Sequence, residues 1–145
     1  MTDAAFHMAP EQIHAFLAAP RHAVVAALRR DGSPQLSPIW YLCEKDRIYF
    51  SILVDSAKYR QLRRDPRITL CIDGGHPDAR FVTVYGTAEI LEDESPWRED
   101  LEWRILRRYH DTEEQARRYQ QETAGYGPGA LVVVTLERVV GRDYN

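Results

Sequence analysis

Three runs of apolar and β-branched residues follow one another with only tight turns between them, and this spacing most limits the possible folds. The runs are His22 to Leu28, Gln35 to Leu42 and Arg47 to Val54. The turn sequences Asp31-Gly32-Ser33-Pro34 and Glu44-Lys45-Asp46 lie between them. Because parallel strands need crossover connections of a dozen or more residues, these runs can pair only as antiparallel neighbours. The sequence therefore predicts an antiparallel meander of three strands.

The rest of the chain adds three predicted strands and four predicted helices. The strands are Arg67 to Asp73, Arg80 to Leu91 and Ala130 to Val140, and the helices are Pro10 to Ala19, Ala57 to Arg64, Trp97 to Tyr109 and Glu113 to Thr123. Gly86 indicates a bulge or bend, as glycine inside a strand often does. Six mostly antiparallel strands in so short a chain favour a closed or half-closed barrel. The predicted fold class is mainly β with flanking helices.

Length, charge and hydropathy limit the domain count and the partners. A chain of 145 residues predicts one domain over residues 1–145. The net charge of −3 argues against a general nucleic-acid binder, which would carry a basic excess. No apolar run is long enough for a membrane helix, and residues 1–14 lack the pattern of a signal peptide. We therefore expect a cytoplasmic protein without a nucleic-acid or membrane partner.

The start of the second helix is a candidate anion site. Asp55-Ser56 precedes Ala57-Lys58, and the free backbone N–H groups of a helix start favour an anion. Lys58 and Lys45 are the only lysines beside 17 arginines, which is also what codon bias would produce. A lysine in an arginine-rich chain can serve as a compact charge for a phosphate. The alternative is an ordinary capped helix with a solvated basic face.

The second predicted strand contains a proline followed by a tryptophan. Pro38 cannot donate to a ladder, so this strand is expected at an edge of the sheet. An edge with free backbone groups beside Trp40 could hold a flat heteroaromatic ring. The alternative is an edge strand with a tryptophan in the core.

Other candidate sites have weaker support in the sequence. The five histidines and two cysteines show no metal-ligand spacing, so no metal site is predicted. The stretch Gly125 to Gly129 has neither dinucleotide-binding nor P-loop spacing, and is interpreted as a flexible connection or a loop over a partner subunit's site. No catalytic residue can be assigned. The candidate proton donors, each with weak support, are His76, Tyr41 and Tyr126.

Five short motifs, taken in order, resemble a known family. The chain resembles the pyridoxamine 5′-phosphate oxidase-like split β-barrel superfamily, and within it the flavin/deazaflavin oxidoreductase B branch, which uses the deazaflavin coenzyme F420. The likeness covers about Ala23 to Ala88. The motifs are Asp31-Gly32-Ser33-Pro34-Gln35, Pro38-Ile39-Trp40-Tyr41, Ser56-Ala57-Lys58, Leu62-Arg63-Arg64-Asp65-Pro66-Arg67 and Val82-Thr83-Val84-Tyr85-Gly86-Thr87-Ala88.

The resemblance implies a six-stranded antiparallel split barrel that forms an obligate homodimer, with cofactor sites in the clefts between subunits. Lys58, Ser56 and the helix start match the family's grip on the cofactor phosphate. Gln61 matches a polar position near the phosphate tail. The residues matching the two strands that line the cofactor ring are Ser37, Pro38, Ile39, Trp40, Ser51, Ile52 and Leu53.

The chain departs from true pyridoxamine phosphate oxidases around its second strand. Those enzymes carry an arginine and a lysine bracketing that strand, whereas here Gln35 begins it and no lysine follows before Lys45. This difference argues against pyridoxamine phosphate oxidation and weakens a tight FMN site. The leading hypothesis is an F420-dependent oxidoreductase that passes a hydride to a small conjugated acceptor. The alternatives are an FMN-binding flavin reductase or oxidase, and a non-catalytic flavin- or haem-binding module.

Overall fold

The computed structural model describes residues 3–145, with side chains beyond residue 4, and contains one antiparallel sheet with helices around it. The strands are β1 (His22–Leu28), β2 (Pro34–Ile39), β3 (Leu42–Glu44), β4 (Arg47–Leu53), β5 (Arg67–Asp73), β6 (Arg80–Leu91) and β7 (Gly129–Asp143). The helices are α1 (Pro10–Ala18), α2 (Ala57–Arg64), α3 (Pro96–Arg108) and α4 (Glu113–Thr123), with 3-10 turns at Asp3–Phe6 and Ala124–Tyr126. The predicted fold class, mainly β with flanking helices, is confirmed.

The order of the strands explains how the sheet closes. Neighbouring strands run β2-β1-β5-β6-β7-β4-β3, so β2 and β3 form the two edges. Only Trp40 and Tyr41 separate these edge strands in the chain. Three residue steps span at most about 11 Å, so the sheet must curl until its two edges approach each other. The curled sheet is consistent with a split barrel.

Two predictions about the strands were wrong. The sheet has seven strands and not six, because the predicted strand Gln35 to Leu42 divides into β2 and β3. The predicted three-strand meander also fails, since β4 pairs with β3 and β7 and not with β2. The division follows from Tyr41, whose fully buried ring carries a hydroxyl that donates to the carbonyls of Leu17 and Ala19 at 3.0 and 2.9 Å. The chain turns inward there to satisfy that hydroxyl.

Gly86 bends β6 as the sequence predicted. The register of β6 against β7 shifts between Tyr85 and Gly86. A Cβ atom at Gly86 would overlap the carbonyl oxygen of Thr135 on β7. The close approach of the two backbones therefore requires glycine at this position.

The core lies inside the curled sheet and beneath α1 and α2. Alternate side chains of β1, β5 and β6 point inward, as the period of a strand dictates. Fully buried examples are Val25, Leu70, Val82 and Val84. Removing each such side chain from water contributes about 1.5–3 kcal/mol. This core fixes the inward register of the strands and, with it, which residues face out.

A second, smaller cluster holds α3 against the sheet. Leu101 and Ile105 of α3 pack with Tyr49 of β4 and Leu131 of β7. The helices α3 and α4 (Pro96–Arg108 and Glu113–Thr123), here called the helical hairpin, follow β6 and precede β7. Their docking places one face of α3 beside the ends of β1 and β2.

Candidate functional site

A large cavity, here called the main cavity, lies between the barrel and the helical hairpin. Its volume is about 750 Å³. The barrel side comes from β1, the end of β2, Ser51 of β4 and Lys58 of α2. The hairpin side comes from α3 and α4. The cavity therefore joins the predicted anion site at Lys58 to the edge strand that carries Trp40.

Five of the ten sequence-predicted site residues line the main cavity, and a sixth contacts one of them. The five are Pro38, Ile39, Trp40, Ser51 and Lys58. Ser37 accepts a hydrogen bond from Lys58 Nζ at 2.9 Å. On β4, Ser51 is exposed whereas Ile52 is buried in the core, because successive strand residues point to opposite faces. Leu53 is partly exposed and lies outside the cavity lining.

Two hydrogen-bonded pairs of polar side chains connect α2 to β2. Lys58 and Gln61 are three residues apart on one helix face, and Ser37 and Gln35 are two apart on one strand face. Lys58 donates to Ser37, and Gln61 Nε2 donates to Gln35 Oε1 at 2.5 Å. Burial lowers the pKa of the Lys58 ammonium, since a low-dielectric setting disfavours its charge. The lysine is thus held by its neighbours in a partly dry position facing the cavity.

Gln61 is buried, with an exposed fraction of 8%. Its Oε1 atom has no hydrogen-bond partner within residues 3–145. Buried polar atoms are nearly always paired in folded proteins, so an orphan atom here calls for a ligand or solvent donor. This unpaired acceptor atom belongs to a residue one helical turn beyond Lys58.

Ser56 is the N-cap of α2 and uses its side chain locally. Its Oγ accepts from the backbone N–H of Tyr59 at 3.2 Å and donates to the carbonyl of Leu53 at 2.7 Å. Asp55 is fully exposed, and its carboxylate lies 4.0 Å from Arg60. An anion at this helix start would therefore meet backbone amides and Lys58, while the Ser56 hydroxyl serves its own helix.

A second concavity of about 700 Å³, here called the arginine groove, runs beside α2. Gln61 belongs to its lining. Two of its arginines have acidic neighbours, Arg60 at Asp55 and Arg63 at Glu92. Arg64 instead donates to the neutral carbonyl of Leu28 at 2.7 Å. The five arginines of this groove, which give it a positive surface, are Arg29, Arg30, Arg60, Arg63 and Arg64.

Trp40 is held by aromatic rings of the helical hairpin. Its ring stacks on Tyr109 with centroids 5.3 Å apart and lies 5.1 Å from the ring of Tyr119. The Tyr109 hydroxyl donates to the carbonyl of Arg21 at 2.8 Å and accepts from the backbone N–H of Arg21 and of Tyr41. One tyrosine thus connects the segment before β1 to the segment between β2 and β3.

The three candidate proton donors lie outside the lining of the main cavity. Tyr41 is buried with its hydroxyl bonded to backbone carbonyls, and burial raises its pKa. His76 is exposed in the connection between β5 and β6, and Tyr126 is exposed after α4.

Sequence reasoning named no individual residue on the hairpin side of the cavity. Glu102, Ile105, Leu106 and Tyr109 line it from α3. Their spacing of i, i+3, i+4 and i+7 predicts a common helix face. That pattern cannot show which partner the face meets, because the partner is set by how the hairpin docks.

Metal and membrane features are not seen in the part of the chain that the structure describes. No group of three or more His, Cys, Asp or Glu residues among residues 3–145 could hold a metal ion. No described helix is both long enough and apolar enough to cross a bilayer.

Comparisons with known proteins identify a family and several structures that share this fold. Residues 9–141 match the family described as pyridoxamine 5′-phosphate oxidase. A conserved hypothetical protein of Mycobacterium tuberculosis is 26% identical, with a TM-score of 0.77 over 99% of this chain and 89% of its own. A structure named F420 reductase is 23% identical, with a TM-score of 0.70 over 90% and 98%. A FAD-binding protein of Mesorhizobium loti is 21% identical, with a TM-score of 0.72 over 94% of each chain.

The family match spans most of the chain, including every strand and the α2 segment that carries Lys58. The three structures share the fold along nearly the whole length of this chain. The resemblance first noted from short motifs over Ala23 to Ala88 therefore extends to the helical hairpin and β7. The chain belongs to the pyridoxamine 5′-phosphate oxidase family of split β-barrels.

Proposed function

We propose that this protein is a cytoplasmic, homodimeric F420-dependent oxidoreductase that passes a hydride to a small conjugated acceptor. When bound, the deazaflavin would supply the hydride chemistry. The protein would supply placement, electrostatics and exclusion of water. The observation that carries the proposal is Lys58, which is partly buried and fixed by Ser37 at the wall of a cavity large enough for a flat ring.

The residues beside Lys58 fit an anionic cofactor with a polyhydroxylated chain. An ammonium group has three N–H donors, and Ser37 takes one of them, so others remain for phosphate oxygens. The Gln61 side chain, one helical turn from Lys58, would lie beside the hydroxyl-bearing chain of the cofactor. Pro38, Trp40 and Ser51 would lie along the ring. These features suit F420 and FMN equally, because both carry a phosphate and a ribityl chain.

The arginine groove favours F420 over FMN. FMN ends at its phosphate, whereas F420 continues into a tail of carboxylate-bearing glutamates. The groove includes Gln61, which lies one helical turn from Lys58 and is bonded to Gln35. A cofactor chain that continued past a phosphate at Lys58 would run into this groove. Arginine side chains bind carboxylates through paired hydrogen bonds, and a tail with several carboxylates would use several of them.

An exposed apolar face supports the proposed homodimer. Leu36, Ala26, Thr69 and Tyr85 form one row across β2, β1, β5 and β6. Leu36 is 64% exposed and Tyr85 is 43% exposed. The next row contains Pro38 and Val24, both of which also line the main cavity. A second copy that covered this apolar face would therefore also help to close the cavity.

Side-by-side titration with F420 and FMN, followed by fluorescence, tests the proposal. We expect F420 to bind more tightly than FMN. Arg60→Gln should reduce that preference, because Arg60 lines the groove, while Arg117→Gln on α4 should not. The two substitutions remove the same charge from exposed, ion-paired arginines, so the pair isolates the groove.

Each outcome of the titration assigns the protein to one hypothesis. Tighter binding of F420 that depends on Arg60 supports the proposal and justifies an acceptor screen. Preference for FMN would instead indicate a flavin reductase or oxidase. Binding of neither cofactor would overturn both enzyme hypotheses and leave a haem-binding or non-catalytic module.

A further inference from the structure

The main cavity carries a carboxylate as well as an ammonium group. Glu102 of α3 lines it from the hairpin side, and Lys58 of α2 lines it from the barrel side. Within the described residues 3–145, these two groups form no ion pair with each other. Lys58 is instead bonded to Ser37, and Glu102 to Arg98. The cavity thus offers a ligand an ammonium group at Lys58 and, at Glu102, a carboxylate whose charge is partly offset by its ion pair with Arg98.

Glu102 is held in place by a buried arginine. Arg98, one turn earlier on α3, donates through Nε to Glu102 Oε1 at 2.6 Å. Arg98 also donates through Nη1 to the backbone carbonyl of Glu92 at 2.8 Å, which fixes the guanidinium. A carboxylate has about four acceptor positions, and this bond occupies one of them. Glu102 therefore has a defined position and keeps acceptor capacity for a ligand.

The surroundings of Glu102 define the rest of a binding site. Ile105, Leu106 and Tyr109 continue its helix face along the cavity, and Trp40 stacks on Tyr109. This surface suits a flat apolar body. The other positive group of the cavity lining is Arg21, just before β1. Arg21 is bonded to the carbonyl of Phe16 and lies 4.0 Å from Asp78, so its charge is shared with another carboxylate.

We propose that Glu102 determines acceptor specificity by selecting planar molecules that carry a positively charged nitrogen. The inference rests on the proposed function in placing the acceptor in this cavity. With the anionic end of a cofactor at Lys58, the Glu102 end remains for the acceptor. The ring of the acceptor lies against Ile105 and Leu106, and its charged nitrogen donates to Glu102. Neutral rings of the same shape bind without this bond and therefore bind more weakly.

The test uses two matched probes, 2-naphthylmethylamine and 2-naphthylmethanol, which share a ring and differ in charge. Their affinities for the full-length protein are measured by calorimetry without any cofactor. We expect the amine to bind about fivefold more tightly than the alcohol, which corresponds to an ion pair that is partly solvent-exposed. Glu102→Gln should abolish this preference and leave the affinity for the alcohol unchanged. Glutamine keeps an oxygen for Arg98, so the local structure is preserved.

Two further variants separate recognition from folding. Glu102→Asp keeps the charge and should keep part of the preference for the amine. Glu99→Gln removes the same charge from an exposed position on α3 and should change nothing. Equal affinities of the two probes in the unmodified protein, an undiminished preference in Glu102→Gln, or no binding of either probe would overturn the inference. Because no cofactor is present, failure of the F420 titration leaves this result interpretable on its own.

Discussion

Replacing Lys58 should weaken cofactor binding without weakening the fold. One N–H of its ammonium is used by Ser37, and the others are free for a phosphate in a partly desolvated site. A hydrogen bond to a charged group contributes about 1.5–3 kcal/mol. The expected loss on Lys58→Ala is thus about 10- to 150-fold in the Kd of the bound cofactor, measured by fluorescence titration.

Removing the charge of Lys58 should weaken cofactor binding but should not lower the stability of the fold. Burial lowers the pKa of Lys58 in the folded state, so the unfolded chain binds this proton more tightly. The protonated lysine therefore destabilises the fold at neutral pH, and this penalty disappears as the pH rises above the unfolded pKa. Lys58→Met, which removes the charge but keeps most of the unbranched side chain, should melt no lower than the unmodified protein. Its advantage should shrink towards alkaline pH.

The remaining lysine provides a matched control. Lys45 is exposed in the turn between β3 and β4, so Lys45→Met should leave cofactor affinity unchanged. A Lys58 variant with unchanged affinity would remove this residue from the site. A Lys58→Met protein that melts well below the unmodified one would refute the argument from burial.

Three further predictions follow from the fold. Tyr109→Phe should lower the free energy of unfolding by about 1–3 kcal/mol, measured in urea, because three backbone groups lose their partner; the same change at exposed Tyr126 should have no effect. Gly86→Ala should cost about 1–3 kcal/mol or prevent folding, since the new methyl group meets a backbone oxygen of β7. Gly125→Ala, which meets no atom within 4 Å in the described chain, should melt as the unmodified protein does. Leu36→Glu should shift the sedimentation of the protein from dimer to monomer, whereas Tyr126→Glu should not, and a dimer that survives Leu36→Glu would place the interface elsewhere.

Local signals in the sequence predicted most of the fold. The helix α2 begins and ends where Ser56 and Asp65-Pro66 indicate, because a cap and a proline act within one or two turns. The bulge at Gly86 was likewise predicted from one residue. The division between β2 and β3 was not predicted, because Trp40 and Tyr41 suit a strand by composition. What breaks the strand is the bonding of Tyr41 to the end of α1, which is distant in sequence.

The part of the candidate site on β2 and α2 was named from the sequence, because two short motifs carry its residues. Ser37, Pro38 and Lys58 come together in the structure, and their role in binding a cofactor stays a prediction. Glu102 and Tyr109 were missed, since the position of the helical hairpin depends on packing against Tyr49 and Leu131. The arginine groove was also missed, because its members come from α2 and from the turn after β1. Charged residues from separate segments form one surface only in the folded chain, so the sequence alone does not group them.

The position of β7 has a consequence for how the chain is made. This strand follows every other strand in the described sequence, yet it pairs with both β6 and β4. Until it is synthesised, β4 and β6 both expose unpaired backbone to other nascent chains. Its pairing with β4 joins residues as distant as Arg47 and Thr135, and contacts of such separation form slowly. The growing chain is therefore most exposed to pairing with other chains in the interval before β7 is made.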